Sequence, residues 1–192
     1  NVTQKEMLDM IDQNTKFYNK AVSNDEFGEV FRGWLFNQFM SSSKDNTTEL
    51  IQSGRSKTVE FKERLLPDTE SDALSKQKVA QHISAFANTA GGHLIIGVTK
   101  DGEVKGLSRD FNSISEGQNG FKQQLESSLS EHIGETFAKQ KTEVQFSSSD
   151  GHSVCIINVE PSDEPIQFSG EDLYIRDDDK TRQLSSKDSE EY

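Results

Sequence analysis

The residues of this sequence that are best suited to chemistry lie in one short segment. Residues 55–64 hold four basic and two acidic side chains, namely Arg55, Lys57, Lys62, Arg64, Glu60 and Glu63. Lysine and arginine contact phosphate groups, whereas converging carboxylates hold a divalent cation that activates water. The segment therefore predicts a phosphate-binding surface or a metal-assisted site. A charged edge strand that only keeps the protein in solution is the third interpretation.

A metal-dependent nuclease needs two or three carboxylates around its cation. Glu60 and Asp101 are the candidate catalytic residues for such an activity, and Glu63 or Asp68 could assist them. The sequence contains 33 aspartates and glutamates, so spacing alone does not select a ligand set. We predict no metal site and no cofactor, with Mg²⁺ or Mn²⁺ required only if the nuclease alternative holds.

The charge of the chain limits its choice of partner. The formal net charge is -12, and phosphate binding depends on lysine and arginine. Residues 1–50 carry 5 basic and 8 acidic groups (-3), residues 51–110 carry 9 and 8 (+1), and residues 111–192 carry 7 and 17 (-10). A nucleic acid would thus have to bind the middle of the chain. The acidic final third also leaves a protein-interaction or oligomerisation module open.

The segments around these residues predict a strand, a helix and a hairpin. In "TVEFKE", Val59 and Phe61 alternate with Glu60 and Lys62, which predicts a strand whose charged face points to solvent. The next segment predicts a helix whose apolar positions are Val79, Ile83, Phe86 and Ala87. "NTAGG" ends that helix, "HLIIGV" predicts a buried strand, and the Asp-Gly pair in "TKDGEV" predicts a tight hairpin.

The second half of the chain continues the mixed pattern. A second amphipathic helix is predicted from Phe121, Leu125, Leu129 and Ile133, which recur every four residues. Four short strands follow, "TEVQF", "SVCIINVE", "PIQF" and "DLYIR". The run Asp177–Asp179 reads as a charged turn. The predicted fold class is therefore α+β, with a mixed sheet and flanking helices.

The first part of the chain reads as a helical appendage. Residues 3–40 predict helices with an aromatic face, including Trp34, Phe36 and Phe39, that docks on the main domain or joins two copies into a homo-oligomer. A polar linker follows, so we expect a helical segment over residues 1–45 and a main domain over residues 50–192. Because the chain begins with Asn1, it reads as a piece of a longer protein.

The expected cellular location depends on two features that the sequence does not show. No apolar run approaches the length of a membrane span, and no export leader is visible, which predicts a cytoplasmic protein with no membrane partner. A single cysteine, Cys155, allows no internal disulfide and is expected to be buried.

Three segments together resemble a known family. "VEFKERL", "ISAFANTAGGHLIIGVTKDGEVKGL" and "LYIRDDDKTRQLS" are similar to the AlbA-like domain of the Schlafen family, which occurs in microbial proteins regarded as DNA-binding or transcriptional-regulator modules. The resemblance covers roughly residues 50–192. It implies an α/β fold that binds DNA or RNA.

The resemblance also implies site residues. Some Schlafen members cut RNA with two glutamates five residues apart and an aspartate after the "GV" strand. The second glutamate matches Glu60, the first falls on Arg55, and the aspartate falls on Lys100, with Asp101 adjacent. The zinc site of the animal members has no counterpart here. Basic residues at two acidic positions disfavour cleavage and favour phosphate contact.

We therefore predict a nucleic-acid-binding module of a larger microbial regulator or defence protein. The alternatives are a metal-dependent nuclease that uses Glu60 and Asp101 and a protein-interaction or oligomerisation module. Glu60 is expected to be a positioning or residual catalytic group. The predicted phosphate contacts are Arg55, Lys57, Lys62 and Lys100.

Overall fold

The computed structural model of the chain describes residues 46–66 and 75–185. Its helices are residues 46–52 (α1), Ser75–Ala87 (α2), Ser108–Asn112 (α3), Gly117–Ile133 (α4) and Glu135–Lys141 (α5). Its strands are Val59–Lys62 (β1), Gly92–Ile96 (β2), Thr142–Ser149 (β3), His152–Val159 (β4), Gln167–Phe168 (β5), Asp172–Asp177 (β6) and Lys180–Gln183 (β7). The predicted helices over residues 3–40, their docking and the segment 1–45 lie outside the described residues.

The strands form two sheets. In the larger one the order is β1-β2-β4-β3, with β1 parallel to β2 and both other pairs antiparallel. The smaller one is the antiparallel set β5-β6-β7. Helices and a mixed sheet in one chain confirm the predicted α+β class.

The two long helices lie where the apolar periodicity predicts them. A parallel pair of strands needs a crossover connection, and α2 is the helix between β1 and β2. All of the predicted inward positions of α2 and α4 are buried: Val79, Ile83, Phe86, Ala87, Phe121, Leu125, Leu129 and Ile133. These side chains pack with Leu94 and Ile96 of β2 into the main core.

Strand β1 is covered on both faces. Val59 and Phe61 pack with Ile95 and with Ile51 of α1 in a second, smaller core, as their alternation predicts. Successive side chains of a strand point to opposite faces of the sheet. Glu60 therefore points away from Val59 and Phe61, to the face that carries α2. The sequence predicted a solvent-facing side for β1. That prediction is wrong for Glu60, because α2 and β6 cover this side.

Two glycines join α2 to β2. Gly91 has φ 71° and its amide donates to Phe86 O at 2.9 Å, which ends the helix. A Cβ on Gly92 would lie 2.5 Å from Thr58 O, so only glycine lets β2 start this close to the residue before β1. The predicted role of "NTAGG" as a helix stop is confirmed.

The predicted turn after β2 forms, but the hairpin is minimal. The amide of Thr99 donates to Glu103 O at 2.9 Å, and the returning chain adds a single bridge between Val98 and Val104. No longer ladder forms here because both edges of β2 are already paired, with β1 and β4.

The remaining predicted strands are β3, β4, β5 and β6, whereas β7 was not anticipated. Asp178, with φ 50°, lies in the turn between β6 and β7, in agreement with the predicted charged turn. Cys155 is buried in β4, and burial raises the pKa of its thiol. Among the described helices, none has the length and apolar character to cross a bilayer.

Candidate functional site

Glu60 of β1 is the centre of a buried polar network. Its side chain is only 3% exposed. Arg55 Nε donates to Oε1 at 2.7 Å, Arg176 Nη1 donates to Oε2 at 3.0 Å, and the amide of Phe61 donates to Oε1 at 3.0 Å. Both carboxylate oxygens are therefore bound by protein groups. The two guanidinium groups compensate the charge of Glu60, which would be costly to bury without a partner.

Arg176 of β6 is the residue that sequence reasoning missed. Its side chain is fully buried, and besides Glu60 it donates to Ser56 O at 2.7 Å and to Thr181 Oγ1 at 3.0 Å. Its guanidinium carbon lies 4.9 Å from the centre of the Phe86 ring. Arg176 thus fastens the small sheet to β1 and α2. The available signal was its place in "LYIRDDDKTR", directly before the aspartate run.

Arg55 is held in the same network. Nη2 donates to the backbone oxygen of Asp179 at 2.8 Å, and Nη1 lies 3.6 Å from a carboxylate oxygen of Asp179. The side chain is 23% exposed. Arg55 was predicted as a phosphate contact, and the structure gives it internal partners in β1 and in the β6–β7 turn.

His82 of α2 lies beside Glu60. Its Nδ1 is 3.8 Å from Glu60 Oε2 and 2.6 Å from Thr181 Oγ1. Burial lowers the pKa of His82 to about 3, with the charges of Lys62 and other cations adding to that effect and Glu60 opposing it. His82 is therefore neutral in the folded protein near neutral pH.

The pKa of Glu60 is lowered overall. Burial acts to raise the pKa of this carboxyl, but the electrostatic effect of His82 and the hydrogen bonds from Arg55 and Arg176 outweigh it. Since His82 is neutral near neutral pH, the two arginines provide the lasting positive charge around Glu60.

Lys62 is the last residue of β1, two positions after Glu60. Glu60 and Lys62 are separated by about 6.6 Å along a strand, and His82 and Lys78 by about 6 Å along a helix. Lys78 precedes His82 by one helical turn, and its charge lowers the pKa of Lys62. Lys62 is half-buried, and Lys78 is exposed.

Lys100 lies in the turn that follows β2 and also acts on Lys62. The backbone oxygen of Lys62 accepts hydrogen bonds from the amides of Gly97 and Val98, at 2.8 Å and 3.1 Å. The turn that carries Lys100 therefore starts at the end of β1. Burial lowers the pKa of Lys62, Glu60 opposes this, and the charges of Lys78 and Lys100 lower it further. We call Lys62, Lys78 and Lys100 the basic cluster.

The other predicted site residues lie at the surface. Lys57 is exposed just before β1, and Asp101 is exposed in the turn after β2. Glu60 and Asp101 were the predicted catalytic pair. Over residues 46–66 and 75–185, no three histidine, cysteine, aspartate or glutamate side chains come together in a way that could hold a metal ion. With both Glu60 oxygens engaged by arginines, these residues do not fit a Mg²⁺ or Mn²⁺ site.

Lys78 was not among the predicted contacts. The one signal for it was its position one helical turn before His82 on a helix whose inward face was correctly predicted.

A family model described as Schlafen, AlbA_2 matches residues 56–185, which is more than half of the chain. The protein belongs to this family, and the Schlafen resemblance predicted from the three motifs is confirmed. The family is associated with nucleic-acid binding.

A solved structure also resembles the chain. It is the crystal structure of the DIP2311 protein from Corynebacterium diphtheriae, with 25% sequence identity and a TM-score of 0.48. The similarity covers 67% of this chain and 25% of that chain, so the present chain matches about a quarter of that protein's length.

Proposed function

We propose that this chain is a nucleic-acid-binding module that contacts the phosphates of DNA or RNA through Lys57 and the basic cluster. The observation that carries the proposal is the charge balance at the C-terminal end of β1. The charges of Lys78 and Lys100 act on Lys62 there, and the carboxylate that acts on Lys62, Glu60, is already bound by Arg55 and Arg176. The positive charge of the cluster is therefore available to a polyanion.

The arginines have a positioning role in this proposal. Arg176 and Arg55 hold Glu60, and Arg55 also holds the turn between β6 and β7 through Asp179. The end of β6 and that turn carry three aspartates, Asp177–Asp179, which repel phosphate. The nucleic acid is therefore directed away from Arg55 and towards the three lysines. Glu60 positions the strand that presents Lys62 and does not act on the bound strand.

The binding is weak, sensitive to salt and largely indifferent to sequence. The net charge of -12 repels nucleic acid at long range, so attraction comes only from the local lysines. Each phosphate contact contributes a slope of about 0.7 to 0.9 in the dependence of log affinity on log salt. Ammonium groups read phosphates and not base edges, so little sequence preference follows.

The biological setting belongs to the same proposal. As predicted from the sequence, the module is part of a larger microbial regulator or defence protein that works in the cytoplasm. Self-association through residues 3–40 is a second part of the prediction and concerns residues outside the described ones.

The test is an anisotropy titration of labelled single-stranded RNA, single-stranded DNA and duplex DNA at several salt concentrations. The variant Lys62→Glu/Lys100→Glu is expected to abolish binding. The matched control Lys122→Glu/Lys139→Glu makes the same change in net charge on α4 and α5, where both lysines are exposed. It is expected to keep most of the affinity. Equal losses in the two variants, or no loss in either, would overturn the proposal.

A further inference from the structure

A cavity of about 470 Å³ lies at the end of the larger sheet where β2 and β3 begin and β4 ends. Thr58, the residue before β1, is on its wall, whereas Lys62 is at the other end of β1. Small-molecule sites in proteins occupy about 300 to 1,000 Å³, so the cavity has the size of such a site. The residues proposed to bind nucleic acid do not line it.

Three side chains form a hydrogen-bonded row along this cavity. His93 of β2 is the cross-strand neighbour of Asn158 of β4, and Asn158 is the cross-strand neighbour of Glu143 of β3. Cross-strand neighbours lie on the same face of a sheet. His93 Nδ1 is 2.8 Å from Asn158 Oδ1, and Asn158 Nδ2 donates to Glu143 Oε2 at 3.4 Å. All three residues line the cavity.

The row determines which nitrogen of His93 carries the proton. An ionised carboxylate only accepts hydrogen bonds, so Glu143 holds the amide nitrogen of Asn158 and leaves Oδ1 to His93. Because Oδ1 is also an acceptor, His93 Nδ1 must donate. Nε2 of the neutral imidazole is then an acceptor, and in the part of the chain that the structure describes no group donates to it.

Negative charge predominates around the cavity. Glu160 and Lys141 line it as well, and Lys141 Nζ donates to Glu160 Oε2 at 2.7 Å. Together with Glu143, two carboxylates therefore lie beside one ammonium group. Helix α5 ends at Lys141, and its C-terminal end adds partial negative charge. A cation that donates hydrogen bonds suits these surroundings, whereas a phosphate does not.

A guanidinium group has the matching chemistry. It carries five N–H donors in a planar fork and is less strongly hydrated than an ammonium group. The acceptors left for it are His93 Nε2 and the Oε1 atoms of Glu143 and Glu160. We propose that this cavity binds a guanidinium group, carried either by a free guanidino compound or by an arginine side chain of a peptide. Asn158 is a positioning residue, since it acts through His93.

The experiment is isothermal titration calorimetry of the whole chain with three capped amino acids: N-acetylarginine amide and its lysine and citrulline counterparts. Citrulline has nearly the shape of arginine and no charge. The arginine compound is expected to bind saturably and about tenfold more tightly than the other two, which corresponds to one charge-assisted hydrogen bond. Equal affinities for the three compounds, or no binding of the arginine compound, would overturn the proposal.

A comparison of free arginine with a capped Gly-Arg-Gly peptide distinguishes the two sources of the group. The peptide is expected to bind more tightly if the ligand is a peptide side chain, because its neighbouring residues also contact the protein. Tighter binding of free arginine identifies a free guanidino compound.

Two variants with the same change in charge test the location of the site. Glu143→Gln is expected to weaken binding of the arginine compound about tenfold or more. The control Glu171→Gln alters an exposed residue in the turn between β5 and β6 and is expected to keep the affinity. Equal losses in the two variants would show that the compound responds to net charge and not to this cavity. Urea unfolding midpoints report the folding of each variant.

The positioning role of Asn158 has its own readout. The imidazole nitrogen shifts of His93, assigned with His93→Gln, are expected to show the Nδ1–H tautomer in the wild type and a mixture of tautomers in Asn158→Ala. An unchanged tautomer in Asn158→Ala would contradict this role. Glu143→Gln is also expected to leave the affinity for RNA and DNA unlowered, so failure of the guanidinium site and failure of the proposed function are separate results.

Discussion

Arg176 and Glu60 form a buried ion pair in which Nη1 lies 3.0 Å from Oε2, although the two residues are 116 positions apart in the chain. The guanidinium is fully buried and the carboxylate is 3% exposed. The pair joins the last hairpin of the structure to its first strand. It also removes the negative charge that would otherwise oppose phosphate binding at the basic cluster.

Removing Arg176 is expected to destabilise the fold strongly. Arg176→Met leaves the buried Glu60 with Arg55 as its remaining cation, and breaking a buried pair costs about 3 to 5 kcal/mol. The control Arg182→Met affects an arginine whose side chain is 49% exposed and lies 3.4 Å from Asp177. That exposed pair contributes at most about 1 kcal/mol. Urea unfolding measures both, and similar losses in the two variants would refute a stabilising role for the buried pair.

Stability is expected to fall as the pH drops below the ordinary pKa of histidine. The pKa of His82 is about 3 in the folded protein and about 6.5 in the unfolded chain, so in that interval the unfolded state binds more protons. The contribution of neutral His82 to the unfolding free energy is fully present above pH 6.5, and it is lost progressively as the pH falls towards 3.

The variant His82→Gln isolates this effect. The charged groups that face His82, namely Glu60, Lys62, Arg55 and Arg176, remain in both proteins. The unfolding free energy of the wild type should therefore decline more steeply than that of the variant between pH 6.5 and pH 4.5. The lower limit is the ordinary pKa of a glutamate such as Glu60, below which carboxylates also bind protons. Parallel curves for the two proteins would contradict the assignment of a neutral His82.

Gly91 is expected to tolerate no side chain. Gly91 has φ 71° and a Cβ there would lie 2.5 Å from Val159 O, whereas Gly54 has φ 75° and no atom within 4 Å. Gly54→Ala should cost about 1 to 2 kcal/mol through backbone strain alone. Gly91→Ala should cost about 1 to 3 kcal/mol more, because atoms must move apart. Thermal unfolding of both variants measures the difference between their stability losses. Equal losses would show that Val159 O does not obstruct a Cβ at position 91.

Leu125 tests the packing of α4. This side chain is fully buried in the main core, so Leu125→Ala should cost about 2 to 5 kcal/mol. The exposed neighbour Gln123 is the control, and Gln123→Ala should change stability by less than about 0.5 kcal/mol. Chemical denaturation reports both values. An unchanged midpoint for Leu125→Ala would show that α4 is peripheral.

Nucleic-acid binding is expected to need no divalent metal. The two oxygens of Glu60 are bound by Arg55 and Arg176, and Asp101 is exposed in a turn. EDTA should therefore leave the affinity unchanged, and Mn²⁺ should produce no cleavage in a gel assay. Mn²⁺-dependent cleavage that disappears in Asp101→Asn would instead support the nuclease alternative, since that exposed substitution leaves the fold intact.

Much of the fold could be predicted because apolar periodicity depends only on local geometry. The inward faces of α2 and α4 and the burial of Val59 and Phe61 follow from a helical or strand repeat, and the structure confirms them. The glycines at the end of α2 were predicted for the same reason, since backbone freedom is a property of the residue itself.

The environment of Glu60 could not be predicted in this way. Alternation on β1 shows that Glu60 and Lys62 share a face, and it does not show what packs on that face. In the tertiary structure, α2 and β6 cover Glu60 and bring Arg176 to it, while Lys62, at the end of the strand, keeps part of its surface in solvent. The sequence by itself determined which side chains lie together on each element. Only the tertiary structure decided which charges are paired, because pairing depends on contacts between segments that are distant in the chain.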